Sequence, residues 1–257
     1  MQFIDTHSHL YSDKFNKDRP DVINNAIAVG VETILLPNIS SKYTHKMLAL
    51  CTKFPKNCYP MMGLHPCDVT EDNYEKEITH VKEEIKKGKY IAIGEIGLDL
   101  YWEQSTLEIQ KKAFYFQVEL AKQYKLPIAI HVRESFQEAI KIIEELNDKN
   151  LRGVFHCFTG NKEDAKRIIK LDGFYLGIGG VLTFKNSGLE ETIKDIDLQY
   201  LILETDSPYL APTPHRGKRN ESKYILNIAE KLAEIHNVSI ETIAEITTSN
   251  AKKLFQL

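Results

Sequence analysis

The sequence is poor in the features that mark secreted, membrane-spanning or nucleic-acid-coating proteins. It has four cysteines in 257 residues, and no two of them stand in C-x-x-C spacing. A disulfide framework and a cysteine zinc site are therefore disfavoured, and we interpret the four as small buried hydrophobic residues: Cys51, Cys58, Cys67 and Cys157. No apolar run approaches the roughly 20 residues that cross a bilayer, and no basic leader precedes an apolar segment, so we expect a cytoplasmic protein.

The chain also has no excess of basic residues. Lysine and arginine number 33 against 36 aspartates and glutamates, which gives a net charge of -3 at pH 7. Proteins that coat nucleic acid without sequence preference are usually strongly basic. The charge argues against that class, but it leaves room for an enzyme that contacts nucleic acid at one basic rim.

What the sequence has instead is a regular alternation of two kinds of segment. Charged stretches with apolar residues at three- and four-residue steps indicate helices, as in "QKKAFYFQVELAKQY" and "SFQEAIKIIEEL". They separate eight short runs typical of buried strands: "FIDTH", "TILLPN", "CYPMMGLHP", "YIAIGEIGLD", "PIAIHV", "GVFHCF", "FYLGIGG" and "LILETDSP". Strand followed by helix, repeated over about 250 residues, predicts an α/β fold with parallel strands, a (β/α)8 TIM-type barrel. A doubly wound open sheet is the alternative, but no G-x-G-x-x-G motif follows the first strand.

The pattern continues to the end of the chain without a break. We expect a single domain over residues 1–257, because no linker, low-complexity segment or repeat interrupts it. The closing segment "TTSNAKKLFQL" predicts a C-terminal helix, capped by Ser249 or Asn250, that packs on the outside of the barrel.

A barrel of this kind carries its chemistry at the C-terminal ends of the strands. The predicted strands have metal-binding side chains at or near those ends: His7, His9, His65, Glu95, His131, His156 and Asp206. In the first strand His7 and His9 share a face, because side chains alternate along an extended chain. Burying so many imidazoles and carboxylates in apolar strands is costly unless bound ions satisfy them.

The set of donors indicates two cations rather than one. Even with His65 set aside for a catalytic role, four imidazoles and two carboxylates exceed what one tetrahedral zinc with an open position takes. Glu95 is the natural bridge, because a carboxylate has two oxygens. Two bridged cations lower the pKa of a shared water and stabilise the attacking and leaving oxygens of a phosphoryl group. The sequence therefore predicts a hydrolytic two-metal site, and its mixed ligands leave Mg²⁺, Mn²⁺ and Zn²⁺ open.

Catalytic roles are predicted for Asp206, Glu95 and His65. Asp206 is expected both to bind metal and to accept the proton of the attacking water. His65 is expected to contact the scissile phosphate or donate to the leaving oxygen, and the alternative is a packed structural histidine. Glu204 and Asp5 lie on the inward face of their strands, where each either orients a ligand or makes a structural hydrogen bond.

The rim of the predicted barrel offers candidate contacts for substrate. The loop "TPHRGKRN" follows Asp206, and we favour its Arg216 and Lys218 for contact with a phosphate, with Lys185 as a weaker third. Tyr101 and Trp102, the latter the only tryptophan, either stack on a base or pack in the core. The remaining histidines in helical stretches are expected at the surface: His45, His80 and His236.

These residues occur in motifs whose order and spacing resemble the TatD-type metal-dependent deoxyribonucleases of the metal-dependent hydrolase superfamily: "DTHSHL", "GLHP", "IGEIGLD", "IHVR", "FHCFTG", "LETDSPYLAP" and "HRGKRNES". The resemblance runs from Phe3 to the closing "NAKKLF". It implies a distorted TIM barrel and hydrolysis of DNA phosphodiester bonds with divalent metals, as a 3′ to 5′ exonuclease that prefers single strands. It further implies two ligand sets: His7, His9, Glu95 and Asp206 for one metal, and Glu95, His131 and His156 for the other. We therefore expect two divalent metal ions as cofactors, single-stranded DNA as the partner, and neither a membrane nor an obligate protein partner.

Two other functions remain open from the residues. One is an amidohydrolase-type hydrolase of small amides, lactones or phosphoesters on the same barrel. Relatives of that kind often bridge their metals with a carboxylated lysine on the fourth strand, so Glu95 and the basic loop count against it. The other is a metal-bound scaffold without turnover, against which the presence of both Glu95 and Asp206 counts.

Overall fold

Parallel strands and helices alternate along the whole chain. The computed structural model describes residues 1–257 and has eight strands and nine α-helices. The strands are β1 (Phe3–Asp5), β2 (Val31–Pro37), β3 (Cys58–Met61), β4 (Ile93–Asp99), β5 (Ile128–Arg133), β6 (Gly153–Phe155), β7 (Phe174–Ile178) and β8 (Leu201–Leu203). The helices are α1 (Arg19–Ala28), α2 (Ser41–Lys53), α3 (Tyr74–Ile85), α4 (Leu107–Tyr124), α5 (Phe136–Leu146), α6 (Lys162–Ile169), α7 (Leu189–Ile193), α8 (Ile225–His236) and α9 (Ile240–Phe255). None of these helices combines the length and apolarity required to cross a membrane.

The strands form two sheets that meet at two seams. One sheet has the order β1-β2-β3 and the other β4-β5-β6-β7-β8, and every pairing is parallel. Beyond β3, Met62 bridges Ile93 at the start of β4. Beyond β1, Ser8 bridges Ser207, which follows β8. These bridges complete a ring of eight strands, and the predicted TIM-type barrel in its distorted form is confirmed.

A layer of apolar side chains fills the barrel beneath its carboxyl end. Its strand residues are Ile4, Leu35, Met61, Ala129, Val154, Tyr175 and Ile202. The last residues of α9 pack against this layer, and the Leu254 carbonyl accepts a bond from Arg152 just before β6. The end of α9 thus covers the amino end of the barrel, a more specific place than the outer position that the sequence predicted. The carboxyl end is left as the mouth.

Helix α9 also begins earlier than predicted. It starts at Ile240, and the hydroxyl of Ser239 caps it by accepting a backbone N–H of the first turn. Ser249 and Asn250, predicted as caps, lie inside the helix. The Asn250 side chain instead donates to two carbonyls at the entry to β8, 2.9 and 2.8 Å away. The Asn250 side chain therefore binds backbone carbonyls outside the helix and does not cap it.

The four cysteines differ in their surroundings. All are free, and only Cys58 is buried. Cys51 and Cys157 are partly buried, and Cys67 is exposed. The interpretation as buried hydrophobic residues is therefore correct for Cys58 alone. Cys67 and Cys157 line the mouth, and Cys51 in α2 packs only in part against the core.

Candidate metal centre

Every metal-binding side chain named from the sequence lies at the carboxyl end of the barrel. Two lie within strands and the others just beyond them: Glu95 in β4 and His131 in β5, then His7 and His9 beyond β1, His65 beyond β3, His156 beyond β6 and Asp206 beyond β8. The strands are shorter than the apolar runs that predicted them. Parallel topology nevertheless brings all of these side chains to one mouth, and the most exposed of them, His131, is only 17% exposed.

The two carboxylate oxygens of Glu95 face different imidazoles. Its Oε2 lies 3.3 Å from Nε2 of His7 and 3.4 Å from Nε2 of His9. Its Oε1 lies 2.9 Å from Nε2 of His156 and 3.0 Å from Nδ1 of His131. Glu95 therefore stands between two groups of donors, as a bridging carboxylate has to.

Asp206 belongs to the first group. Its Oδ1 lies 3.4 Å from Nε2 of His9 and 4.0 Å from Nε2 of His7. Its N–H donates to the carbonyl of His7 at 2.8 Å, and its φ of 55° lies in the left-handed region that non-glycine residues seldom occupy. The two sets expected from the sequence are thus assembled in space: His7, His9, Glu95 and Asp206, and Glu95, His131 and His156.

Two of the imidazoles are oriented by acceptors behind their rings. Nδ1–H of His9 donates to the hydroxyl of Tyr11 at 2.8 Å, and that hydroxyl donates onward to a backbone carbonyl. Nδ1 of His156 lies 3.3 Å from Oε1 of Glu204, which also accepts the N–H of Cys157. In both rings Nε2 is left as the lone-pair nitrogen aimed at the centre. The contact of Glu204 corresponds to the ligand-orienting alternative of the two that we considered.

Asp99 orients His131 in the same way, although we did not single it out from the sequence. Its Oδ2 accepts Nε2–H of His131 at 2.9 Å, which leaves Nδ1 to face Glu95. Burial alone would raise the pKa of Asp99, but His131 and the N–H groups of Trp102 and Tyr101 lower it to about 2. A signal was available: Glu95 and Asp99 stand four residues apart in β4, and evenly spaced strand residues share a face.

His65 faces the same carboxylate with the opposite polarity. Its Nδ1 accepts the N–H of Cys67 at 3.1 Å, and because an amide only donates, the ring proton lies on Nε2. That Nε2 is 3.4 Å from Oε1 of Glu95. His65 therefore presents an N–H donor to the centre, which suits a phosphate or leaving oxygen better than a cation.

His7 and Glu204 carry polar atoms that the protein itself leaves unsatisfied. Both ring nitrogens of His7 and the Oε2 atom of Glu204 lack a hydrogen-bond partner, although both side chains are buried. The ring of His7 stacks on that of His156 at 3.8 Å. Orphaned buried polar atoms are costly, and imidazole with carboxylate is a donor set that divalent cations such as Mn²⁺ and Zn²⁺ accept. The residues present therefore fit a metal site.

The centre holds opposite charges in apolar surroundings. Burial alone would raise the pKa of Glu95, but His65, His156 and His7 outweigh it and hold that pKa well below its usual range. Burial alone would lower the pKa of His156, but Glu95 and Glu204 raise it well above its usual value. Glu95 is thus kept ionised, as metal coordination requires, and His156 must release its second proton for Nε2 to serve as a ligand.

Asp5 lies beneath the centre without touching a ligand side chain. It accepts the hydroxyl of Thr205 at 2.6 Å and the N–H of the same residue at 2.9 Å. Burial raises the pKa of Asp5 to about 7. Its contacts tie β1 to the segment that carries Asp206, which corresponds to the structural alternative that we considered for it.

The basic loop lies at the rim, but only part of it is free. Arg219 is engaged by Asp18, with 2.7 Å between guanidinium nitrogen and carboxylate oxygen. Arg216 and Lys218 make no ion pair with an acidic side chain. The guanidinium of Arg216 packs over the ring of Phe184, 3.5 Å from its centroid. Arg216 and Lys218 therefore remain available to a substrate, whereas Arg219 serves the protein itself.

Two cavities open at the mouth. The larger, of about 640 Å³, is lined by residues of the centre together with Trp102, Arg133 and Tyr209. The second, of about 560 Å³, shares Val181 with it and is lined by Phe184, Lys185, Asn186, Ser187, Thr213 and Arg216. Lys185 is thus brought beside Arg216, while Lys218 lines neither cavity.

The remaining aromatic and histidine candidates are now placed. Trp102 is 70% exposed and Tyr101 is 49% exposed, so the core-packing alternative was wrong for both. His45 is exposed as expected. His80 and His236 are partly buried, and His80 contacts the Thr44 hydroxyl at 2.9 Å, so the surface expectation was wrong for those two.

Comparisons with known proteins agree with one another. The family model described as "TatD related DNase" matches residues 4–256. A Bacillus subtilis protein named uncharacterized metal-dependent hydrolase YabD is 39% identical over 255 residues, which cover 99% of each chain. An Escherichia fergusonii protein named 3′-5′ ssDNA/RNA exonuclease TatD is 32% identical over 258 residues, which cover 98% of each chain. The crystal structure of the TatD homologue YJJV from Escherichia coli K12 matches with a TM-score of 0.90 at 28% identity, covering 99% of this chain and 98% of that one.

Proposed function

This chain belongs to the TatD-related DNase family of metal-dependent hydrolases, and on that basis we propose that it is a divalent-metal-dependent deoxyribonuclease. Its substrate in this proposal is single-stranded DNA, shortened from the 3′ end by hydrolysis of phosphodiester bonds. The relative named as a 3′-5′ exonuclease supports that substrate class. The arrangement of the centre supports the chemistry.

The observation that carries the proposal is the division of donors around Glu95. One oxygen faces His7 and His9, and the other faces His131 and His156. In this proposal each group, with Glu95 shared, holds one divalent cation, and Asp206 completes the first. When bound, such cations polarise a phosphoryl group and lower the pKa of a water molecule.

The protein's own residues then position the substrate and move protons. Asp206 is 13% exposed at the floor of the cavity, where its carboxylate can accept the proton of the attacking water. His65 offers its Nε2–H to a phosphate oxygen or to the leaving oxygen. Asp99 and Glu204 fix the rings of His131 and His156 so that their lone pairs stay aimed at the centre.

The rim supplies contacts to the backbone of the strand. Arg216 and Lys218 have no acidic partner, and a guanidinium or ammonium group beside a phosphate holds a nucleic acid without reading its sequence. Lys185 stands in the same cavity as Arg216. The amidohydrolase alternative finds less support, because no lysine lines the central cavity and Glu95 stands between the two groups of donors.

The proposal is tested with a 5′-labelled single-stranded oligonucleotide, incubated with Mg²⁺, Mn²⁺ or Zn²⁺ and in parallel with chelator. We expect a ladder of products shortened from the 3′ end only where metal is present. His156→Ala and Asp206→Asn should each reduce the rate by orders of magnitude. His45→Ala is the matched control, because that histidine is exposed and lies outside the centre.

Three outcomes would contradict the proposal in different ways. Cleavage of a circular single strand would show endonucleolytic rather than exonucleolytic action. Intact DNA alongside hydrolysis of an amide or lactone panel would favour the amidohydrolase alternative. Metal binding without turnover of any of these compounds would favour a scaffold.

A further inference from the structure

We infer that Tyr101, Trp102 and Arg133 form a platform on which one nucleobase of a single-stranded substrate stacks beside the metal centre. The inference rests on the proposed nuclease function and adds to it a binding site for the base. These three residues are called the stacking platform below.

The planar groups of the stacking platform lie against one another. The guanidinium of Arg133 lies over the ring of Tyr101, 3.6 Å from its centroid, and 5.4 Å from the centroid of Trp102. The two aromatic rings meet edge to face, with centroids 4.9 Å apart and planes at 87°. Arg133 makes no ion pair with an acidic side chain. Cation–π contact thus holds a free guanidinium beside the exposed face of an indole.

The aromatic surface of the stacking platform is exposed to solvent, which is typical of a binding site. Trp102 leaves 70% of its surface in water and Tyr101 leaves 49%. Large aromatic surfaces are favourably removed from water, and patches of them on a protein often mark a binding site. A nucleobase offers a π face to the indole, and the phosphate attached to it offers a negative charge to Arg133. Single-strand binding sites combine the same two elements, aromatic faces and cations.

One carboxylate ties the stacking platform to the metal centre. Oδ1 of Asp99 accepts the N–H groups of Tyr101 and Trp102 at 3.0 and 3.3 Å, and its Oδ2 accepts His131 at 2.9 Å. Asp99 of β4 is also the register partner of Arg133 in β5. Trp102, Arg133 and His131 line the same cavity. A base on the platform and a phosphodiester at the centre would therefore share one cavity, held in a fixed relation.

The stacking platform also gives a physical reason for a preference for single strands. In a duplex both faces of a base are covered by its neighbours, so only an unpaired base can give a face to Trp102. Stacking recognises the base and not the sugar, so unpaired ends of both DNA and RNA are suitable ligands.

Trp102 is the only tryptophan in the chain, and its emission reports on the stacking platform directly. With chelator present, so that no turnover occurs, we expect a single-stranded oligonucleotide to quench this emission. A strand whose 3′-terminal residues are abasic should quench far less, as should a blunt duplex. The double variant Trp102→Phe and Phe54→Trp moves the reporter to the loop before β3, at the other end of the barrel, and should show no quenching.

Binding is measured independently by the fluorescence anisotropy of a labelled strand, again with chelator. Trp102→Ala should weaken binding about tenfold, and Trp102→Phe should retain most of the affinity because it keeps an aromatic face. Titration of Mn²⁺ into Trp102→Ala should match the wild type, since a merely structural role of Trp102 would disturb the centre that Asp99 supports. A ribo-oligonucleotide should quench as the deoxy strand does.

The outcomes separate this inference from the proposed function. If DNA is bound and shortened but base-containing and abasic strands quench equally, or Trp102→Ala binds as the wild type, the stacking platform is wrong and the nuclease stands. If the wild type neither binds nor shortens any strand, the proposed function fails, and the platform fails with it.

Discussion

At the scale of single residues, the hydrogen-bond partner behind the ring distinguishes a candidate metal ligand from a hydrogen-bond donor, as His131 and His65 show. His131 has a carboxylate behind it, so its lone pair faces the centre. His65 has the N–H of Cys67 behind it, so its proton faces the centre. Two histidines that both face Glu95 are thereby prepared for different tasks.

The orientation of His131 can be tested with Asp99→Asn. The aspartate uses both oxygens as acceptors, so the amide must leave either His131 or the N–H groups of Tyr101 and Trp102 without a partner. We expect the affinity for Mn²⁺, measured by calorimetry on the metal-free protein, to fall by about 10- to 100-fold. Glu204→Gln is the matched control. Glu204 uses only Oε1, so glutamine can keep both bonds, and equal affinity in both variants would contradict the orienting role of Asp99.

The two arginines of the basic loop are predicted to behave differently. Arg216→Ala should raise KM for an oligonucleotide, leave kcat unchanged and reduce the slope of log KM against log salt by about one, because it removes a phosphate contact. Arg219→Ala should leave KM unchanged and lower the unfolding temperature, because Arg219 is held by Asp18. The prediction is checked by steady-state kinetics and thermal unfolding. A raised KM in Arg219→Ala together with a lowered unfolding temperature in Arg216→Ala would contradict it.

At the scale of elements, β4 carries the centre and meets β5 closely. Glu95, Gly97 and Asp99 alternate onto one face of the strand. Gly97 has a φ of 141°, and a Cβ there would lie 2.0 Å from the carbonyl oxygen of His131. Only glycine lets β5 approach at this point and place His131 between the two carboxylates.

Gly97→Ala is therefore predicted to be severely destabilising. The added methyl meets backbone atoms that cannot move, and alanine is strained at this φ. We expect the free energy of unfolding in urea to fall by about 3 kcal/mol. Gly88→Ala is the control, because Gly88 also has a positive φ, of 68°, but open space around its Cβ position, and it should cost only about 1 kcal/mol.

The start of α9 provides a second test at this scale. Ser239→Ala removes the hydroxyl that accepts an N–H of the first turn and should lower the free energy of unfolding by about 1 kcal/mol. Ser249→Ala, inside the helix and exposed, should change it by no more than a few tenths, because alanine is the better helix former. If the two variants lost equal free energy of unfolding in urea, the assignment of Ser239 as the cap of α9 would be wrong.

At the scale of the whole molecule, the centre joins the two sheets of the barrel. His7 and His9 follow β1 of the first sheet, and the other proposed ligands, Glu95, His131, His156 and Asp206, come from the second. Between the two sheets runs the seam of β1 and β8, which is crossed by the Ser8–Ser207 bridge and by a few backbone hydrogen bonds, among them Asp206 N–H to the His7 carbonyl. A cation bound by side chains from both sides of that seam would hold together segments that are far apart in the chain.

Removal of metal is therefore predicted to destabilise the fold. A cation that binds only the folded state, present at about 100 times its Kd, stabilises it by about 2.7 kcal/mol. For a chain of this size we expect the unfolding temperature in calorimetry to rise by about 5–10 °C over the chelated protein. Replacing both His7 and His9 by alanine should empty one metal position first and leave the His131 and His156 position occupied. Loss of all metal from that variant, measured by elemental analysis, would contradict the division of donors around Glu95.

Much of the fold and of the donor set follows from the sequence alone. Strand and helix periods are local properties of the backbone, so the alternation of segments predicted the barrel before any contact was known. Because the strands are parallel, the histidines and carboxylates at their ends had to converge at one mouth. The division of the chain into one domain, the roles of the site residues and the identity of the metals stay predictions.

The tertiary structure decided what depends on partners distant in the chain. In the folded protein Arg219 forms an ion pair with Asp18 whereas Arg216 forms none, although the two arginines belong to one loop. Folding also exposed Trp102 beside the centre and set Asp99 behind His131. The physical reason is that a sequence pattern determines which face a side chain takes, whereas ring orientation, ion pairing and exposure are set by atoms that folding brings from elsewhere.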